Sequence, residues 1–121
     1  MIGVDIIDIE KFKQAVLRTP RLINRLFTPS EISYCLNKKN CYPSLAARFA
    51  AKEAIRKFNH LMIKEVLFQD IEVFVDVNGK PGVKLHGQAS KNGKSLGIAD
   101  ICLSLSHSQN QAIAVAYAQK G

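Results

Sequence analysis

Two acids stand where acids are not expected. Glu53 is the one carboxylate in the stretch Ser44–Phe58, SLAARFAAKEAIRKF, which otherwise carries Arg48, Lys52, Arg56 and Lys57. Asp5 interrupts the apolar run Ile2–Ile7. A charge inside an apolar strand needs a partner: a cation, a helix end or a metal. A carboxylate among small residues, flanked by cations, can hold a divalent metal beside bound phosphates. Asp5 and Glu53 together would give a hard cation such as magnesium two oxygens, with water and substrate phosphate supplying the rest. The plainer reading makes 44–58 an amphipathic helix. Arg48, Lys52 and Arg56, at i, i+4 and i+8, then form a solvated basic ridge, and Glu53 pairs with Lys57. The helix by itself leaves both readings open.

Three further groups carry weaker signals. His107 closes an alternating run, LSLSHS, where a histidine serves either as a structural cap or as a contact for phosphate. Asn78, Gly79, Lys80 and Pro81 read first as a turn, and the lysine can also meet a phosphate. Lys11, Arg18, Arg21 and Arg25 recur at spacings of seven, three and four. A continuing helical path would align them around Leu22, as a solvated face or as a docking surface for an acidic partner. No GxxxxGK[ST], GxGxxG or GxSxG motif is present, so none of the common nucleotide cradles applies.

Positioning these residues falls to a strand and a helix that must lie side by side. Ile2–Ile7 reads as a strand, with Ile2, Val4 and Ile6 on one face and Gly3, Asp5 and Ile7 on the other. Asp8 suits the N-cap of a helix running to about Leu17, which Thr19-Pro20 ends. Thr28-Pro29-Ser30-Glu31 has the make-up of a capping box with proline at the first helical position. A short helix to about Asn37 and a polar loop, Lys38–Tyr42, lead into the long helix. Phe68–Val77 alternates as a half-buried strand, Asn78-Gly79 turns, and Val83–Leu85 returns. His86–Leu96 is a short helix or an irregular crossover. Ile101–His107 and Ala112–Ala118 form a second hairpin, its return strand apolar on both faces. The pattern predicts one α+β domain over 1–121, an antiparallel sheet packed with a long central helix.

Bulk properties narrow the function. Seventeen basic residues against ten acidic give a net charge of +7, an attraction for polyanions. Most of the excess lies in the N-terminal half. Against nucleic acid, the aromatics do not interleave with the basic residues as stacking platforms, and no recognition motif appears. No apolar run approaches a membrane span, and the acids at Asp5 and Asp8 do not suit a secretory leader, so a cytoplasmic setting is expected. Cys35, Cys41 and Cys102 are odd in number and lack metal-site spacing, which predicts reduced structural cysteines.

Taken together, IGVDIIDIEKF at the start, LFTPSE at 26–31, ARFAAKEAIRKF at 47–58, FQDIEVFVDVNGKP at 68–81 and LSLSHS at 103–108 resemble one family. The chain is similar to the holo-acyl-carrier-protein synthases, the small bacterial 4′-phosphopantetheinyl transferases, over essentially its whole length. The resemblance implies transfer of phosphopantetheine from coenzyme A to a serine of apo-acyl carrier protein in fatty acid biosynthesis, with adenosine 3′,5′-bisphosphate leaving. It implies magnesium on Asp5 and Glu53, with Glu53 or a water beside it taking the serine proton. It gives Lys57 the donor diphosphate, Arg48 and Lys52 other phosphates, and His107 a phosphate or the reacting oxygens. Asn78, Gly79, Lys80 and Pro81 fall to coenzyme A, and Lys11, Arg18, Arg21, Leu22 and Arg25 to docking of the acidic carrier. It also implies a homotrimer with sites at subunit boundaries. Lys11 stands where the family usually has arginine, which keeps the charge and loses the bidentate fork. Gln111 stands where the family often has an aromatic, a change that touches local packing and not the acids.

Overall fold

Local chemistry sets the element boundaries in the computed structural model, which describes residues 1–121. Strand β1 (Ile2–Asp8) gives way to helix α1 (Ile9–Arg18) at Asp8, whose carboxylate accepts the Lys11 amide at 2.8 Å. That acceptor satisfies one of the four amides a helix start leaves without partners. Thr19-Pro20 breaks the path before α2 (Leu22–Leu26). Lys11 and Arg18 therefore belong to one helix and Arg25 to another, with Arg21 at the joint, and the single continuous ridge is not formed. Helix α3 (Pro29–Leu36) carries the full capping box: Glu31 N–H donates to Thr28 Oγ1 at 3.2 Å, and Thr28 N–H donates to Glu31 Oε1 at 2.8 Å. The long helix α4 (Tyr42–Arg56) starts two residues before Ser44, because Pro43 is tolerated in a first turn where no helical N–H is needed.

The expected α+β architecture is observed, with the antiparallel strands divided into two sheets. Strands β2 (Ile71–Val75) and β3 (Pro81–Leu85) form one; β1, β4 (Ile98–His107) and β5 (Gln111–Lys120) form the other, in the order β1-β5-β4. Helix α5 (Gly87–Ser95) fills the crossover between them. Strand β2 stops at Val75, short of the expected Val77. The Asp76 carboxylate accepts the amides of Asn78 and Lys80, both at 2.9 Å, and so ends the ladder in a five-residue loop that leaves Val77 fully exposed. Residues Phe68–Asp70 form a 3-10 turn where strand is expected.

Helix α4 packs across β1 and β5 and is shared by both halves of the core. Leu45, Ala46 and Ala47 join the cluster under α1–α3, and Ala50, Ala51, Ala54 and Ile55 join the cluster on the large sheet. Ala112, Ala114, Ala116 and Ala118 of β5 are buried beneath it. Small residues on both surfaces let helix and sheet approach closely. The other face of the same sheet is apolar and open: Ile2, Val4, Ile6, Ile113, Val115 and Tyr117 are all exposed. All three cysteines are free, with Cys35 buried and Cys102 exposed. No helix is long and apolar enough to cross a membrane.

Candidate active site

Gly3 decides how near strand and helix can lie. A Cβ there would sit 1.9 Å from the Ala54 carbonyl oxygen, so only glycine lets β1 pass α4 at this separation. Two residues on, on the same face, Asp5 meets the end of α4. Lys57 Nζ donates to Asp5 Oδ1 at 2.8 Å and to the Val4 carbonyl at 3.0 Å. Glu53 lies one turn before Lys57 and about 40° round the helix. Its Oε1 is 3.2 Å from Arg56 Nε, and the Arg56 guanidinium stacks over the Phe68 ring at 4.4 Å. Lys57 thus pairs with the strand acid, and Arg56 with the helix acid, in place of a Glu53–Lys57 pair.

Asp5 and Glu53 are both part-exposed, and each keeps one carboxylate oxygen without a protein hydrogen bond. No third His, Cys, Asp or Glu gathers with them. Two such carboxylates fit a hard divalent cation that retains waters and takes phosphate oxygens; they do not form a closed cage. Lys57 is half-exposed on a flexible stem and can turn from Asp5 toward an anion.

Arg48 and Lys52 do not lie on a solvated face. Lys52 is fully buried: its Nζ meets Glu31 Oε1 at 2.9 Å, the Phe68 carbonyl at 3.0 Å and the Ile71 carbonyl at 2.5 Å. Burial pushes its ammonium below the ordinary lysine value, with the Glu31 carboxylate pulling the other way. All three donors are taken, so Lys52 is not a phosphate ligand, and the expectation for this residue is corrected. The ridge turns inward because α3 supplies an acid that no local spacing reveals.

Arg48 is also buried, yet it is not saturated. Its Nη1 donates to Ser44 Oγ at 2.8 Å, and the guanidinium lies 4.5 Å from the Tyr34 ring centroid. Its Nε and Nη2 have no hydrogen-bond partner. A buried donor left unmet is costly, and an anion would satisfy it. Arg48 lines a cleft of about 440 Å³ with Tyr34, Lys38, Ser106, His107 and, from the β2–β3 loop, Gly79. His107 is exposed at the end of β4. Of the expected turn residues, Gly79 reaches the cleft; Asn78 and Lys80 are exposed beside it and Pro81 opens β3. Tyr34 and Ser44 hold Arg48, and sequence reasoning missed both. Ser44 stands one helical turn before Arg48, a legible signal; Tyr34 gives none.

The acids and this cleft are not joined within one chain. By strand register Asp5 stands across β5 from Leu105, two residues from His107, which puts the two backbones about 12 Å apart. Helix α4 lies over β5 between them. Lys11, Arg18, Arg21 and Arg25, expected to dock the carrier, are exposed along α1 and α2, with Leu22 half-buried, and none is paired with an acid.

Half-open acids at a helix end and an arginine with idle donors are the equipment of a phosphate-handling transferase. A model of the 4′-phosphopantetheinyl transferase superfamily matches residues 1–116. The holo-[acyl-carrier-protein] synthase of Dehalococcoides mccartyi is 47% identical over 118 residues, covering 97% of this chain and 96% of that protein. The synthase of Moorella thermoacetica is 44% identical over 114 residues, covering 94% and 89%. The structure of the Helicobacter pylori synthase in complex with coenzyme A superposes with a TM-score of 0.83 at 32% identity, covering 98% of this chain and all of that one. The chain belongs to the holo-[acyl-carrier-protein] synthases of the 4′-phosphopantetheinyl transferase superfamily, and is an enzyme.

Proposed function

We propose that the chain moves the 4′-phosphopantetheine arm of coenzyme A onto a serine hydroxyl of an apo-acyl carrier protein, in the cytoplasm and in the service of fatty acid biosynthesis. The serine oxygen forms a new P–O bond to the pantetheine phosphorus, the diphosphate bridge breaks, and adenosine 3′,5′-bisphosphate leaves. The observation that carries the reading is the tight crossing at Gly3 and Ala54, which sets Asp5 against the end of α4 one turn from Glu53. Asp5 and Glu53 would hold magnesium, which supplies charge neutralisation on the diphosphate. Lys57, released from Asp5, turns its ammonium to the same diphosphate. Arg48 offers Nε and Nη2 to the 3′-phosphate, with His107 beside it and Gly79 over the nucleotide. The serine proton goes to the Glu53 carboxylate or to a water that it orients. Lys11, Arg18, Arg21 and Arg25 steer the acidic carrier to the α1–α2 corner, and Leu22 gives it an apolar contact.

The reading includes a homotrimer. It is supported by the open apolar face of the large sheet, where Ile2, Val4 and Ile6 stand beside Tyr117, Val115 and Ile113 in register. Apolar surface of this kind marks an interface. The experiment is direct: incubate the chain with coenzyme A, magnesium and an apo-carrier, then weigh the carrier. A gain of one phosphopantetheine is expected, at a rate at least about a hundredfold lower for Asp5→Asn and Glu53→Gln. No gain with the wild type, or an equal rate with Glu53→Gln, overturns the reading.

A further inference from the structure

Lys52 is the residue before Glu53, so its side chain leaves α4 about 100° away, into the core. There it meets Glu31, itself only 1% exposed. Every polar atom of the pair is used. Lys52 Nζ has three acceptors: Glu31 Oε1 and the carbonyls of Phe68 and Ile71. Glu31 Oε1 also accepts the Thr28 amide at 2.8 Å, and Oε2 accepts the Val73 amide at 3.0 Å. Thr28 Oγ1 then donates to Glu72 Oε2 at 2.8 Å. The pair therefore ties together the start of α3, the middle of α4, the 68–71 turn and β2. Strand β2 pairs only with β3, and the Glu31 carboxylate occupies its other edge.

Two parts of the site hang from these segments. Glu53 follows Lys52 on α4, and Gly79 sits at the far end of the hairpin that β2 begins. Apolar side chains of similar volume would hold such a junction at least as firmly as a buried ion pair. Charge-assisted hydrogen bonds add direction: they fix the rotation of α4 about its axis and the height of β2 beside it.

We propose that Lys52 and Glu31 act as a positioning pair for the transfer reaction. They set the aim of Glu53 and hold the 76–80 loop over the Arg48–His107 cleft. The inference rests on the reading of Asp5 and Glu53 as the site acids, and on Arg48 as a coenzyme A contact.

The test compares Glu31→Leu/Lys52→Met with the wild type by thermal melting, by the KM and kcat of carrier loading, and by calorimetric binding of coenzyme A without added metal. The double variant is expected to melt below the wild type, because the Thr28 and Val73 amides and the Phe68 and Ile71 carbonyls lose their partners, but above Lys52→Met, since both charges leave together. Its kcat is expected to fall at least about tenfold, and its affinity for coenzyme A at least about threefold. Lys52→Met alone is expected to melt far lower, with Glu31 left uncompensated. Wild-type kcat and coenzyme A affinity in a folded double variant would show that the pair is structural only and overturn the proposal. If the double variant does not fold, Glu31→Gln, which keeps the volume and an acceptor for Lys52, is judged by the same kinetic and binding criteria. A wild type that loads no carrier would sink the functional reading itself, an outcome separate from wild-type rates in the variants.

Discussion

At the scale of single residues, Glu72 shows how one carboxylate joins distant elements. His86 Nε2 lies 2.8 Å from its Oε1, and Thr28 donates to its Oε2. The His86 hydrogen bond, chiefly, holds the Glu72 carboxyl below the ordinary value of 4.5, against the opposing effect of burial. A carboxylate whose folded value is depressed stabilises the fold fully above its unfolded value and loses that contribution as pH falls through the folded one. Glu72→Gln should therefore be less stable than the wild type near neutral pH, by about 1 kcal/mol. The difference should vanish as pH drops from 4.5 through the folded value. Thermal melts of both proteins across the acid range check this; a difference independent of pH would show that the charge of Glu72 is not what stabilises. Arg48 and Lys52 make the companion point. Both are buried cations one turn apart on α4. Lys52 has an acid and two carbonyls and is finished; Arg48 keeps two buried donors without a partner. Residue type and helical spacing are the same for a solvated ridge and for this arrangement, so only the partners separate them.

At the scale of elements, the crossing of β1 and α4 brings Asp5 to the end of the helix that carries Glu53. Gly3→Ala would drive a methyl group into the Ala54 carbonyl, and a backbone atom cannot swing aside as a side chain can. The strand must lift, at a cost of about 1–3 kcal/mol. Asp5 would then move off Lys57. Loss of stability by melting, together with loss of transfer in the fraction that remains folded, is the expected outcome. Wild-type transfer in Gly3→Ala would detach the site from this crossing. Much of the element order was legible in the sequence because its causes are local. Asp8 and the Thr28–Glu31 box start helices by bonds that span three residues, and alternation marks the strands. The end of β2 was not legible, because Asp76 competes with the ladder through its side chain. Nor was the fate of Lys52, whose partner Glu31 lies 21 residues away on another helix. The same glutamate serves the capping box that was legible and the buried pair that was not.

At the scale of the whole molecule, the residues proposed for the site fall into two groups. Asp5 and Glu53 stand at one end of α4, and Arg48, His107 and Gly79 line a cleft that contains neither acid. The sheet whose inner face carries α4 leaves its outer face apolar and open. If copies associate through that face in a ring, each complete site takes its acids from one chain and its Arg48 cleft from the next. That division has a signature no single-chain site can give. Chains carrying Glu53→Gln keep a sound cleft, and chains carrying Arg48→Ala keep sound acids. Either variant alone should load the carrier poorly. Coexpressed in equal amounts, they should form mixed assemblies in which about a quarter of the boundaries join a sound cleft to sound acids. Transfer should recover to about that fraction of the wild-type rate, with native mass spectrometry reporting the mixed assemblies. A site contained in one chain would show no recovery, because every chain would still carry a lesion. Mixed assemblies without recovered transfer would therefore place both halves of the chemistry in one subunit and remove the argument for a shared site.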